Sequence, residues 1–216
     1  MNLYEKYRPI DLGQFVGNDK AVTKVRKLIE RGVGGRAYWI TGASGTGKTT
    51  LALILGRSIA SEWNIKEIDS TGLFPAHIKE IEDAIRYHGM ELEAGKGGHC
   101  IIINEAHGLR KDTIRQLLVT LERIPSHVIF CFTTTKIGER DLFEDQIDAS
   151  PLLSRCVEIS LTNQGLAPLF ASRAQVIAVS EGLDGQSPEE YLKLARRCSN
   201  NMRMMLQEID SGAMMA

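Results

Sequence analysis

Little in this chain is extreme, and each shortage narrows what it does. Aromatic residues make up only 6% of the 216 residues. Neither stacking aromatics nor a strong basic stripe marks a dedicated single-strand binder. The formal net charge is −1, so any DNA contact has to come from a local basic face. No run of about 18 apolar residues exists, and no membrane span is expected. The opening Met1-Asn2-Leu3-Tyr4-Glu5-Lys6 lacks the apolar stretch of a signal peptide. The four cysteines, Cys100, Cys131, Cys156 and Cys198, are scattered and none forms C-x-x-C. A zinc site is therefore not expected, and buried reduced thiols fit a cytoplasmic protein. Internal repeats and low-complexity tracts are missing too. What remains is an ordinary globular composition, 43% hydrophobic and 25% charged, with enough apolar material for a core.

Against that plain background one stretch stands out: Gly42-Ala43-Ser44-Gly45-Thr46-Gly47-Lys48-Thr49. It fills every position of G-x-x-x-x-G-K-[ST], after an apolar run (Ala37 to Ile40) and before a helix-like run from Thr50 to Leu55. The strand–loop–helix setting points to a nucleoside triphosphate with Mg²⁺. Glycines let backbone N–H groups curl around phosphates, and the helix N-terminus adds positive potential. Lys48 would reach the β- and γ-phosphates, and the Thr49 hydroxyl would sit on the metal, with Thr50 following in the helix.

Strand-like runs recur at Tyr38–Thr41, Ile65–Asp69, Cys100–Ile103, Val128–Thr133 and Cys156–Ser160, with helical patterns between most of them. Asn18 predicts a helix cap leading to about Arg31, with Val22, Val25, Leu28 and Ile29 on one face. Pro75 to His88 reads as a further helix. So does Lys111 to Glu122, with Ile114, Leu117, Leu118 and Leu121 at helical spacing. Alternating strands and helices predict an α/β fold with a five-stranded, mostly parallel sheet covered on both faces. After Leu161 the strand signal stops. Two helical segments, about Ala167–Glu181 and Pro188 onward, predict a small helical lid. The expected domains are 1–161 and 162–216. Ser187-Pro188-Glu189-Glu190 reads as a cap, a Pro at N1 and a Glu at N3.

The phosphate loop needs a partner strand, and Ile101-Ile102-Ile103-Asn104-Glu105-Ala106-His107 supplies it. Ligands in open α/β sheets bind at the carboxyl edge, where Asn104 and Glu105 end the strand. Glu105 would polarise the attacking water; Asn104 keeps an oxygen near the metal but lacks the charge of the usual Asp, so slower hydrolysis is expected. The bland reading of Glu105 is a solvated strand-end carboxylate, and of His107 a packed or capping residue.

Together these segments resemble the AAA+ clamp-loader ATPases, the bacterial polymerase γ/τ and replication factor C small subunits. Tyr4-Glu5-Lys6-Tyr7-Arg8-Pro9 and Phe15-Val16-Gly17-Asn18 resemble the family's opening, which implies that Tyr7, Arg8, Pro9, Val16 and Gly17 cover the nucleotide's adenine and ribose. Glu105-Ala106-His107 with Leu117-Leu118, Leu121-Glu122 and Pro125 is similar to the γ/τ "DEVH…LLKTLEEPP" stretch. His127 to Phe130 with Thr133-Thr134-Thr135 resembles the sensor-1 strand, and Thr134 is the residue expected in that role. Leu153-Ser154-Arg155-Cys156 looks like the "SRC" motif, which implies that Arg155 points into a neighbouring subunit's site. Asn201-Met202-Arg203 resembles the sensor-2 segment, which implies that Arg203 touches the γ-phosphate. Arginine suits both roles, having a fixed charge and a planar fork of donors. Taken alone, Arg155 would read as a surface ion pair and Arg203 as a solvated helix face.

The resemblance runs over about residues 4 to 210 and implies an ATPase that loads a sliding clamp on primer–template DNA, as a homo-oligomer or with other AAA+ subunits. Lys96, Arg110, Lys111 and Arg115 are the candidate DNA contacts, with an ordinary solvated surface as the alternative. Three departures are visible. Asn104 replaces Asp; residues 138–150 form a longer and more acidic connection than the family's; and neither the family's collar domain nor the γ/τ zinc module has a counterpart here. Two other functions remain open at this point: another AAA+ replication or repair motor or loader, and a nucleotide-dependent assembly module with little turnover.

Overall fold

The computed structural model describes residues 2–91, 94–136 and 150–215. Most of the long connection flagged above, 138–149, lies outside them.

Five strands build one sheet: β1 (Arg36–Thr41), β2 (Ile65–Asp69), β3 (His99–Asn104), β4 (Val128–Thr134) and β5 (Cys156–Ser160). Their order is β2-β3-β4-β1-β5 and every pairing is parallel. The central strands explain themselves by composition. β4 is buried at all seven positions, whereas the edge strand β2 reads Ile-Lys-Glu-Ile-Asp and exposes its polar residues. Continuous apolar runs belong between two helical layers, and mixed runs belong at an edge.

Strand alternation divides the core in two. Trp39, Ile101, Ile103, Phe130 and Phe132 face one side, under α4 (Pro75–Ala84) and α5 (Lys111–Leu121). Tyr38, Ile40, Cys100, Ile102 and Cys131 face the other, under α2 (Asp19–Glu30) and α3 (Lys48–Arg57). The rings of Trp39 and Phe132 lie 5.5 Å apart. Truncating a side chain such as Phe130, which is wholly buried, would cost about 3–5 kcal/mol. All four cysteines are free thiols, three of them buried and Cys156 partly so.

The lid has its own core. Beyond the short α6 (Ser150–Leu153), it comprises α7 (Ala167–Glu181), α8 (Pro188–Arg197) and α9 (Met202–Asp210). The sequence predicts two helical segments here, whereas the described residues form three helices. Ser199 and Asn200 adopt left-handed backbone, with φ of 53° and 55°, and break the second segment. The Asn201 side chain then caps α9 by accepting from the Met204 N–H at 3.2 Å. The first helix, α1 (Leu3–Lys6), packs on α9 rather than on the sheet; Leu3, Tyr4, Tyr7 and Val16 join Phe170, Ile177, Leu206 and Ile209 in one apolar cluster.

Asn18 is a second correction. It precedes α2, but its side chain makes no cap bond. It accepts from the Thr162 N–H at 2.8 Å and donates to the Thr162 carbonyl at 3.2 Å. That pair of bonds pins the chain where the sheet passes into the lid, and left-handed backbone at Asn18 turns the side chain that way. Ser187 likewise precedes α8, with Pro188 at N1, and makes no side-chain cap bond.

Candidate functional site

The loop from Gly42 to Gly47 joins β1 to α3 at the carboxyl edge of the sheet. Its shape depends on two glycines with positive φ, Gly45 at 73° and Gly47 at 96°, which residues with a Cβ resist. Each also lets a neighbour come close. A Cβ on Gly47 would lie 2.7 Å from the Phe15 ring, and one on Gly45 would collide with the Asn201 side chain. The lid's α9 cap therefore rests directly on the loop. No side chain caps α3, so its first N–H groups open toward the loop's concave side.

Around this loop lies a pocket lined by Ser44 to Thr50, Glu105, the segment Tyr4 to Val16 in part, and α7 and α9 of the lid. Four cations line it, Arg8, Lys48, Arg173 and Arg203, against one carboxylate, Glu105. Lys48 is buried, and its ammonium donates to the Ala43 carbonyl at 3.0 Å. Burial lowers its pKa, Glu105 opposes that, and the charge of Arg203 adds to the lowering. A buried ammonium with one protein acceptor and a second cation beside it favours an anion. Such a donor set fits a polyphosphate.

Beside the loop, three side chains meet on Asn104. Its Oδ1 accepts from Thr49 Oγ1 at 3.1 Å and from Thr133 Oγ1 at 2.9 Å, and its Nδ2 donates to Glu67 Oε2 at 3.3 Å. Thr49 and Asn104 thus adjoin as a metal-supporting pair would, and the Thr49 oxygen keeps lone pairs for a divalent cation because its proton goes to Asn104.

Glu105 has left-handed backbone, φ 50° and ψ 47°, uncommon for a non-glycine residue and costing about 1 kcal/mol. The Ser70 hydroxyl donates to its carbonyl at 2.6 Å, and Thr135 Oγ1 donates to Oε2 at 3.4 Å. His107 Nδ1 lies 3.5 Å from the same Oε2 and 3.0 Å from Thr134 Oγ1.

Several expected residues are placed elsewhere. Thr134 is wholly buried, bonded to His107 and to the Lys136 N–H, and is not among the pocket's lining residues. In a strand neighbours face opposite ways, and the hydroxyls on Asn104 and Glu105 are those of Thr133 and Thr135. Tyr7, Arg8, Pro9 and Val16 line the pocket; Gly17, Gly42 and Ala43 do not. Gly17 makes room for Leu166, whose Cδ2 would lie 2.6 Å from an added Cβ, and Gly42 does the same for the Leu161 carbonyl, at 2.9 Å. Ala43 contributes its carbonyl to Thr46 and Lys48. Arg203 lines the pocket, its guanidinium 5.5 Å from the Tyr4 ring centre.

Arg155 stands at the other end of the sheet. The next residue, Cys156, pairs with Ala37 at the start of β1, about 16 Å along the strand from the loop at ~3.3 Å per residue. There its guanidinium pairs with Glu122 and donates from Nη1 to the Pro151 carbonyl at 2.8 Å. Glu122 is held below the usual carboxylate range by that bond. The basic residues proposed for DNA are divided. Arg110, Lys111 and Arg115 are exposed at the start of α5, with Arg110 4.5 Å from the Phe74 ring centre, whereas Lys96 precedes β3 at the opposite edge.

Arg173 was missed by the sequence reading. It is the only charged residue between Ala167 and Ser180, and it shares a helix face with Phe170 and Ile177. A lone charge on an apolar helix was the available signal.

Residues 38–161, more than half of the chain, match the AAA family, the ATPase family associated with various cellular activities. The chain belongs to that family. It is 29% identical over 230 residues to the DNA polymerase III subunit gamma/tau of Mycoplasma genitalium, which covers 96% of this chain and 36% of the relative. It is 28% identical over 222 residues to the replication factor C large subunit of Methanocella arvoryzae, covering 97% of this chain and 36% of the relative. The chain thus spans about a third of the length of these curated relatives. Among solved structures, the Thermotoga maritima RuvB Holliday junction branch migration motor has the same fold, with a TM-score of 0.70 at 20% identity over 94% of this chain and 64% of that one. The AAA chain described here is clamp-loader-like in sequence. Among the described residues no helix is long and apolar enough to cross a membrane.

Proposed function

We propose that this chain is an ATP-binding and hydrolysing AAA+ subunit of a clamp loader, which assembles with neighbouring AAA+ subunits to load a sliding clamp on primer–template DNA. The observation that carries the ATPase part is the pocket of four cations and one carboxylate built on the phosphate loop. Lys48 and the open N-terminus of α3 bind the phosphates, and Arg203 reaches them from the lid. Thr49, steadied by Asn104, holds Mg²⁺, which supplies charge neutralisation of the triphosphate when bound. Glu105 polarises water beside the pocket, and Tyr7, Arg8, Pro9 and Val16 cover the base.

The position of Arg155 supports action between subunits. It is too far from its own loop to serve it, and its partner Glu122 keeps it at the surface in a fixed orientation. A copy of the chain that both receives and donates an arginine repeats around a ring or spiral. Similarity to gamma/tau and replication factor C subunits supports clamp loading over other AAA+ work. The exposed cations at the start of α5 would grip DNA phosphates without reading sequence.

The deciding measurement is ATP turnover with primed DNA and candidate clamps, alone and together. Stimulation by both supports clamp loading. Stimulation by DNA junctions without a clamp would favour a branch-migration type of motor. Tight Mg²⁺–ATP binding with negligible turnover would favour an assembly module, the reading that Asn104 in place of Asp suggests.

A further inference from the structure

The side-chain amide of Asn104 has two ends and the site needs one of them. Thr49 and Thr133 both donate to its Oδ1, which faces the loop. The two hydroxyls would also tolerate the reverse orientation, since each has lone pairs to accept from an NH₂ group. Were the amide turned round, the Thr49 proton would lose its acceptor and its lone pairs would be drawn toward Asn104, away from a metal. An Asp has no such ambiguity, because both its oxygens accept. Replacement of Asp by Asn therefore creates an orientation problem that the neighbouring strand has to answer.

Glu67 is the group that answers it. It lies on β2, where Glu67 pairs with Ile102 and Asp69 with Asn104. Its Oε2 accepts from Asn104 Nδ2 at 3.3 Å. A carboxylate can only accept, so it takes the NH₂ end and repels the oxygen end. We propose that Glu67 is a positioning residue for the metal half of the site: it fixes the Asn104 amide so that Oδ1 takes the Thr49 proton and the Thr49 lone pairs point at Mg²⁺. Rows of this kind behind a metal ligand set its affinity without touching the ion. The role rests on the ATP reading above and deepens it.

The test separates the two. Fluorescent ATP-analogue binding is titrated with Mg²⁺ in the wild type, Glu67→Leu and Glu67→Gln, each in the Asn104 and in the Asn104→Asp background. Leu removes the acceptor at similar volume, and Gln keeps one. The Mg²⁺ midpoint rises about tenfold in Glu67→Leu, the low end for loss of such a partner, stays near wild type in Glu67→Gln, and is little changed by Glu67→Leu once residue 104 is Asp, which needs no orienting. An equal shift in both backgrounds would mean that Glu67 acts on the metal directly, and no shift in either would remove it from the site; both results overturn the proposal. A ligand-free readout stands beside these. The Asn104 side-chain NH₂ resonances, assigned by their loss in Asn104→Asp, should move in Glu67→Leu, and unmoved resonances would overturn the orienting role. If the wild type did not bind the analogue at all while those resonances still moved, the ATP reading would fail and the orienting bond would stand.

Discussion

The two ends of the central sheet follow opposite rules. At the carboxyl end, four cations face a single carboxylate around a glycine-shaped loop. At the amino end, groups are already matched: Arg155 with Glu122, and the His99 and His127 rings each donating to the Tyr87 carbonyl, at 3.0 and 3.2 Å. The first arrangement is incomplete without an anion. The second has its charged ends paired within the chain, although Arg155 Nε is buried without a hydrogen-bond partner. The cation-rich pocket and Arg155 are separated by about the length of a strand, so Arg155 does not reach the loop of its own chain.

The largest break in this contrast comes from Lys48→Ala. With the buried ammonium gone, ATP binding should be lost in calorimetric titration, and retained affinity would take the loop out of the mechanism. Next comes Glu105→Gln, which should leave binding intact while turnover falls about 10³-fold, within the usual range for general acid–base groups. Arg155→Ala should also spare binding and lower turnover, again by about 10³-fold if the arginine serves a neighbour's phosphates. Mixing the Glu105→Gln and Arg155→Ala proteins sharpens the point. Some interfaces would then join an intact Glu105 to an intact Arg155, and partial recovery of turnover is expected. A mixture no faster than its components would argue against donation between chains.

The smallest effect concerns the matched end. Burial lowers the His99 pKa from its ordinary 6.5, against the opposing pull of the Tyr87 carbonyl, and His127, Lys66 and His88 add to the lowering. The folded form thus prefers a neutral ring, while the unfolded chain takes up a proton near 6.5. Stability from this group is complete above about pH 6.5 and declines as pH falls below it, because the unfolded state then binds more protons. The melting temperature should drop on acidification from pH 7 to pH 5.5, and His99→Gln should flatten that dependence.

How much of this was readable beforehand differs between elements for physical reasons. β2 and β5 run over the same residues in sequence and structure, because β-branched and polar residues bounded by turns leave little freedom. The phosphate loop was equally plain, since few other functions require its glycines at that spacing. The third lid helix escaped because its break, Cys198 to Asn201, contains neither Gly nor Pro; left-handed Ser and Asn do the work instead. Asn18 carried a cap signal, yet a bond to Thr162, 144 residues away, took its side chain. The run of three threonines that ends β4 and continues one residue past it shows a finer limit. Composition offered a hydroxyl at each position, and only strand alternation assigned Thr133 to Asn104, Thr134 to His107 and Thr135 to Glu105. Arg173 and Glu67 depended on neighbours from other elements, and local pattern does not reveal those.

The clustering of Leu3, Tyr4 and Tyr7 with the lid has a practical edge. Lys6 pairs with Glu181 at 2.7 Å, and the Tyr7 hydroxyl shares that carboxylate, so the start of the chain and α7 are strapped together beside the pocket that Tyr4 and Tyr7 line. A tag or fusion that tugs on the amino terminus would pull on the same lever that carries Arg203, and nucleotide affinities measured on such a protein would report the handle as well as the enzyme.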